Sequence, residues 1–142
     1  MQTRTQALRA GFTLAELMVV IVIIGLLATL VVPNVMSKLF QANITKAKAD
    51  IVNISSGVEE WAMLNGGTFP ESLESLVQKD ENGHSILNSD VVPKDPWGNT
   101  YVYEPPQGGQ RFRVISYGRD GAPGGESDDK DIDNVMIQNG EI

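Results

Sequence analysis

Apolar positions run unbroken along one stretch of this chain and then become periodic. From Phe12 to Val32 the sequence reads FTLAELMVVIVIIGLLATLVV, 21 residues with a single charge at Glu16. A helix rising about 1.5 Å per residue covers roughly 30 Å in such a run, the thickness of a bilayer core. Nothing after Pro33 is comparably apolar, so residues 12–33 are expected to anchor the chain and 34–142 to form a soluble domain. Beyond Pro33, Ile44, Ala47, Ile51, Ile54, Val58 and Trp61 recur three or four residues apart, with Lys46, Lys48, Asp50, Glu59 and Glu60 off that stripe. This spacing predicts an amphipathic helix over 34–65, stopped by Gly66-Gly67. The stripe lasts less than three heptads, so it reads as a core-facing side rather than a coiled-coil seam.

The remaining pattern is short-period. Phe69-Pro70 opens a short helix over about 70–78, with Leu73, Leu76 and Val77 inward. Lys79 to Ser85 is a polar loop. Asp95-Pro96-Trp97-Gly98-Asn99 is a compact turn leading into Thr100–Tyr103, and the glycine-rich stretch 106–110 connects it as a hairpin to Arg111–Tyr117. Strands are thus expected within about 99–117. Phe112, Val114 and Ser116 alternate with Arg111, Arg113 and Ile115, which predicts one buried face.

Composition narrows the chemistry. At 142 residues the chain holds one modest domain, and with no cysteine it excludes disulfides, thiolate zinc sites and a thiol nucleophile. The one histidine, His84, lies in the polar loop and reads as a solvated residue, not a ligand. A net charge of −7 with 11 Lys and Arg argues against a binder of nucleic-acid phosphates. No phosphate-binding glycine loop is present, so the chain supplies no nucleotide-driven energy of its own.

Two features of the N-terminus are unusual. Residues 1–11, MQTRTQALRAG, carry Arg4 and Arg9 as their only charges. A secretory signal expects a shorter apolar region with small residues after it, whereas here Gly11 comes before it. Cleavage at Gly11–Phe12 would remove the charges and leave the apolar segment on the mature protein. By the positive-inside rule Arg4 and Arg9 stay cytoplasmic and the C-terminal part crosses. Glu16 is the second feature, a carboxylate at a depth where charge is costly. It either snorkels to the interface or meets a cation. Cleavage would create such a cation, the α-amino group of Phe12, and in packed helices Glu16 of one subunit could meet that amine on its neighbour.

Gly11-Phe12-Thr13-Leu14-Ala15-Glu16 before about twenty apolar residues resembles the processing site of type IV pilins and type II secretion pseudopilins. The resemblance implies cleavage after Gly11 by a prepilin peptidase, methylation of Phe12, and a role for Glu16 in assembly. Gly25 and Pro33 fall where such proteins loosen the helix in a filament. FPESLESLV, DPWGN and an S-x-G-x-D-G strand exit are similar to the major pseudopilins, the G subunits, of type II secretion. Pilins proper usually close their C-terminal region with a disulfide, which this chain cannot form. The implied fold is α+β and type IV pilin-like: a long N-terminal helix packed on a small antiparallel sheet, with a C-terminal calcium loop.

The segment 116–133 carries that loop. From Asp120 to Asp133 it reads DGAPGGESDDKDID, six acids against Lys130. Such density repels itself unless solvated or bound to a cation, and calcium takes six to eight hard oxygens. An EF-hand fails, because Asn134 and Gly140 stand where that loop needs glycine and glutamate. The resemblance implies a structural calcium ion held by Asp120, with Asp129 and Asp131 as partners, Asp128 as the alternative, and main-chain oxygens from Ser116 and Tyr117. An empty, solvated loop is the other reading. A metal would act as a staple for a small domain without disulfides.

Three functions follow from these features. The first is a structural subunit, not an enzyme, polymerising with itself and with minor pseudopilins into a periplasmic pseudopilus. It would be held in inner-membrane lipid, served by an inner-membrane platform and a separate ATPase, and would drive folded exoproteins through an outer-membrane secretin. The second is a type IV pilin for adhesion, motility or DNA uptake, which the acidic charge disfavours. The third is a membrane-anchored, calcium-dependent hydrolase, which the clustering of carboxylates in one loop disfavours.

Overall fold

The computed structural model describes residues 11–142. Its elements follow in the order α1 (Leu14–Leu64), a 3-10 turn (Leu73–Val77), β1 (Val102–Glu104), β2 (Arg113–Ser116), a second 3-10 turn (Ser127–Asp129), β3 (Ile132–Asp133) and α2 (Asn134–Asn139). The leader residues Arg4 and Arg9 lie outside the described residues. The chain divides into two units, one up to Lys38 and one from Leu39 onward.

α1 is one helix of 51 residues, running through Gly25 and Pro33 without interruption, as a long helix with an apolar and an amphipathic half requires. Proline in a helix interior removes one N–H and leaves a carbonyl a turn earlier without its donor. Within the first unit every side chain from Phe12 to Val32 is exposed. One 18-residue window of α1 reaches a mean hydropathy of 2.8, so the helix is long and apolar enough to cross a membrane.

In the second unit the periodic stripe is the core. Ala47, Ile51, Ile54 and Val58 are fully buried, and Ile44 and Trp61 flank them, partly buried. Leu73 and Leu76 of the first 3-10 turn, then Tyr101, Phe112, Val114 and Ile132, complete the same cluster. Each large aliphatic side chain so enclosed stabilises the fold by about 1.5–3 kcal/mol relative to an exposed one.

The sheet is antiparallel with order β1-β2-β3. Tyr103 pairs with Val114 and Glu104 with Arg113 on one side of β2, while Ile115 pairs with Asp133 on the other. The hairpin lies within the span expected from sequence, but its strands are shorter, and β3 with α2 forms from the end of the acidic segment. Ile115, expected on the open face, is 2% exposed. As the central strand, β2 is flanked on both sides, and Arg113, two residues before Ile115, shares its face. The Arg113 guanidinium reaches across to both Glu104 and Asp133. β1 is one of the two edge strands, three residues long, and Pro105-Pro106 follow it directly.

Candidate functional site

The N-terminal group of residues begins with Gly11 and Phe12, both exposed, the latter 84%. Glu16 finds a partner within its own chain. Its Oε2 accepts from Thr13 N and Thr13 Oγ1, both at 2.8 Å, while Glu16 N donates back to Thr13 Oγ1 at 3.2 Å. Thr13 precedes the first helical residue and Glu16 is the third, so the pair forms a capping box that satisfies otherwise orphaned N–H groups. The spacing T-x-x-E carries this signal in the sequence, yet Thr13 is absent from the residues singled out there. The carboxylate is thus held at the helix start, at the end of the chain where cleavage would expose an amine.

The acidic loop is built on two glycines that no other residue could replace without strain. Gly118 has φ of +69°, and a Cβ there would lie 2.6 Å from the Asp128 carbonyl oxygen; Gly125 has φ of +91°, and a Cβ there would collide with the Asp129 carbonyl oxygen. Both let the outgoing chain touch the returning Ser127–Asp129 turn, and Arg119 N donates to Asp128 O at 2.8 Å. Ser127 itself has positive φ, at 59°. Position 127 therefore holds the left-handed backbone with a serine.

The sequence-derived ligands have different surroundings. Asp120 is exposed, and its Oδ1 accepts from Ala122 N at 3.1 Å. Asp129 is gripped by a fork from Arg119, Nε to Oδ1 at 3.1 Å and Nη2 to Oδ2 at 3.3 Å. Asp131 takes Gly124 N on both oxygens, at 3.0 and 2.9 Å. Asp128 lies 3.6 Å from Arg119 through Oδ2, whereas its Oδ1 is buried with no hydrogen-bond partner. Ser116 is fully buried and Tyr117 half-buried. Among the described residues no three Asp, Glu, His or Cys side chains converge as a metal-binding group. A hard cation here would draw on main-chain carbonyls as well, and the orphaned, buried Asp128 Oδ1 is an acceptor that fits such an ion.

Asp133 belongs to the structure rather than to that loop's ion chemistry. It caps α2, accepting from Val135 N and Met136 N at 2.8 Å each, and pairs with Arg113. Burial works against its charge, but the Arg113 hydrogen bond and the two backbone donors win, holding its carboxyl below the ordinary range. Asn134 beside it bonds β2 at Val114 N and the residue before that strand at Phe112 O.

Comparison with known proteins gives a consistent picture. Residues 34–135 match the family model "Type II secretion system (T2SS), protein G", and residues 7–32 match the prokaryotic N-terminal methylation motif. The chain is 42% identical to the type II secretion system core protein G of Pseudomonas aeruginosa, over 94% of this chain and 98% of that one. It is 39% identical to the core protein G of Vibrio cholerae, covering 92% and 94% respectively. The crystal structure of the major pseudopilin from the type 2 secretion system of enterohaemorrhagic Escherichia coli superimposes with a TM-score of 0.56 at 26% identity. That match covers 73% of this chain and 96% of that one.

Proposed function

This chain belongs to the type II secretion system protein G family and is a pseudopilus subunit; from that premise we propose how its parts serve assembly. The observation that carries the reading is the pairing of an exposed apolar helix start, ending in a capped Glu16, with a soluble domain whose core is complete without it. A prepilin peptidase cuts after Gly11, and Phe12 becomes the methylated N-terminus. The apolar half of α1 holds the subunit in the inner membrane, with the C-terminal domain in the periplasm. On assembly, Glu16 exchanges its contact with Thr13 for the Phe12 amine of a neighbouring copy, a pairing favoured where water is scarce.

The assembled filament contains copies of this chain with minor pseudopilins at hand. It is extended at the inner-membrane platform by a separate ATPase, and moves folded exoproteins through the outer-membrane secretin. The subunit acts by polymerising, not by catalysis. A structural calcium ion would be held by Asp120 and Asp128 with main-chain oxygens from Ser116 and Tyr117. The Arg119 fork on Asp129 and the Gly124 contact on Asp131 favour those two carboxylates as supports of the loop. The ion's contribution is to neutralise the loop's acids and join its two sides. Intact-mass and N-terminal analysis of membrane-extracted protein tests the reading. The chain should begin at Phe12 and carry one added methyl group, and a functional filament subunit that still carries Arg4 and Arg9 would refute it.

A further inference from the structure

Between Asp95 and Asn99 the chain closes into a turn braced by its own backbone and by the Asp95 carboxylate, with side chains that reach Ser116 and Gly118. Asp95 N donates to Asn99 O at 2.9 Å and Gly98 N donates to Asp95 O at 3.0 Å. Asp95 Oδ1 accepts from Trp97 N at 3.1 Å and Asn99 N at 2.7 Å. Asp95 is only 4% exposed, and a carboxylate so enclosed persists because its oxygens are occupied. The other oxygen, Oδ2, accepts from the buried Ser116 hydroxyl at 2.7 Å. Ser116 Oγ in turn accepts from Gly118 N at 3.3 Å. Asn99 reaches the same place from the far end of the turn, its Nδ2 donating to Gly118 O at 2.7 Å. Its side chain also abuts Gly121.

Gly118 is therefore fixed at both its N–H and its carbonyl by groups rooted in one five-residue turn. It is also the residue whose close approach to Asp128 sets where the two sides of the acidic loop meet. From this geometry we infer that the Asp95–Asn99 turn positions the calcium loop, setting the backbone from Ser116 to Gly121 before any ion arrives. The inference rests on the calcium reading above. Asp95 and Asn99 touch no ion; they are positioning residues acting through Ser116 and Gly118. Losing such outer partners weakens metal sites by about 10- to 100-fold.

The test is calcium titration of the full-length chain in detergent by calorimetry, with amide hydrogen exchange of the calcium-free protein alongside. Asn99→Ala should bind calcium about 10- to 100-fold more weakly and exchange faster at Gly118–Gly121, while the amides of Ala47–Val58 keep their protection. Asp95→Asn retains an oxygen for the backbone donors and an amide for Ser116, so it should recover most of the affinity that Asp95→Ala loses. Wild-type affinity and exchange in Asn99→Ala would overturn the inference while leaving calcium binding intact. If the wild-type chain binds no calcium, the calcium reading falls and takes this one with it. Should Asn99→Ala lose its thermal transition, Asn99→Asp, of equal size but without the donor to Gly118 O, provides the same comparison.

Discussion

The hydroxyl of Tyr101 donates to Asp50 Oδ2 across 3.0 Å, tying α1 to the segment that enters β1. Asp50 is also paired with Lys46, one turn earlier on the helix. Burial, and after it the bond to Asp50, push the Tyr101 phenol above its ordinary value. The neutral phenol is thus favoured in the fold, giving stability present below the ordinary tyrosine value of about 10 and lost as pH rises through the folded value. Tyr101→Phe should cost about 0.5–1.5 kcal/mol near neutrality and flatten the alkaline limb of a thermal-unfolding series.

The Arg113–Asp133 pair governs the acid side. With its carboxyl depressed, Asp133 contributes stability above the ordinary carboxylate value of about 3.9, lost as pH falls through its lower folded value. Asp133→Asn keeps an oxygen for the α2 cap but loses the ion pair with Arg113. Its melting temperature should be lower than wild type at neutral pH, and the difference should shrink in strong acid. A gap that stays constant to pH 2 would contradict this.

Calcium removal should be visible in stability. Excess EGTA, or Asp120→Ala, should lower the melting temperature of the full chain, and the chelator should have little further effect on the variant. Identical melting curves with and without calcium would favour a bare, solvated loop.

Backbone contact in that loop can be tested by its glycines. Gly124 and Gly125 both have positive φ, but only Gly125 has a carbonyl in the way of a Cβ. Gly125→Ala should therefore destabilise by more than about 1 kcal/mol and exceed the effect of Gly124→Ala in denaturant titration. Equal costs would show that the close approach to Asp129 has no energetic weight.

Glu16 and Thr13 separate two roles for the helix start. Glu16→Ala should still insert and be cleaved, yet enter filaments poorly in a co-assembly assay. Thr13→Val, which removes only the hydroxyl, should lose at most a capping contribution of about 1 kcal/mol and assemble far better. Poor assembly of Thr13→Val to the same degree would place the defect in capping rather than in a contact between copies.

The stripe from Ile44 to Trp61 was legible because burial on a helix leaves a period, and its central members are the core. The acids of 120–133 were legible as a group, since charge density needs no fold to be seen. Their individual duties were not. Asp129 takes a full fork from Arg119 and Asp131 takes Gly124 N, whereas Asp128 meets Arg119 on one oxygen only, contacts the chain makes by turning on Gly118 and Gly125. Ile115 is misplaced by alternation, which describes a strand with one open face, whereas β2 is central and Ile115 is buried on the other. Likewise β3 has only two residues, too few to leave a periodic trace.

The outer border of the sheet has a consequence for a molecule designed to meet its own kind. A chain concentrated among identical copies in a membrane has a cheap wrong way to associate, strand against strand through unpaired main-chain groups. β1 offers only three residues to such an approach, and the two prolines after it have no hydrogen to give. Strand-to-strand joining along this border therefore has little main chain to start from.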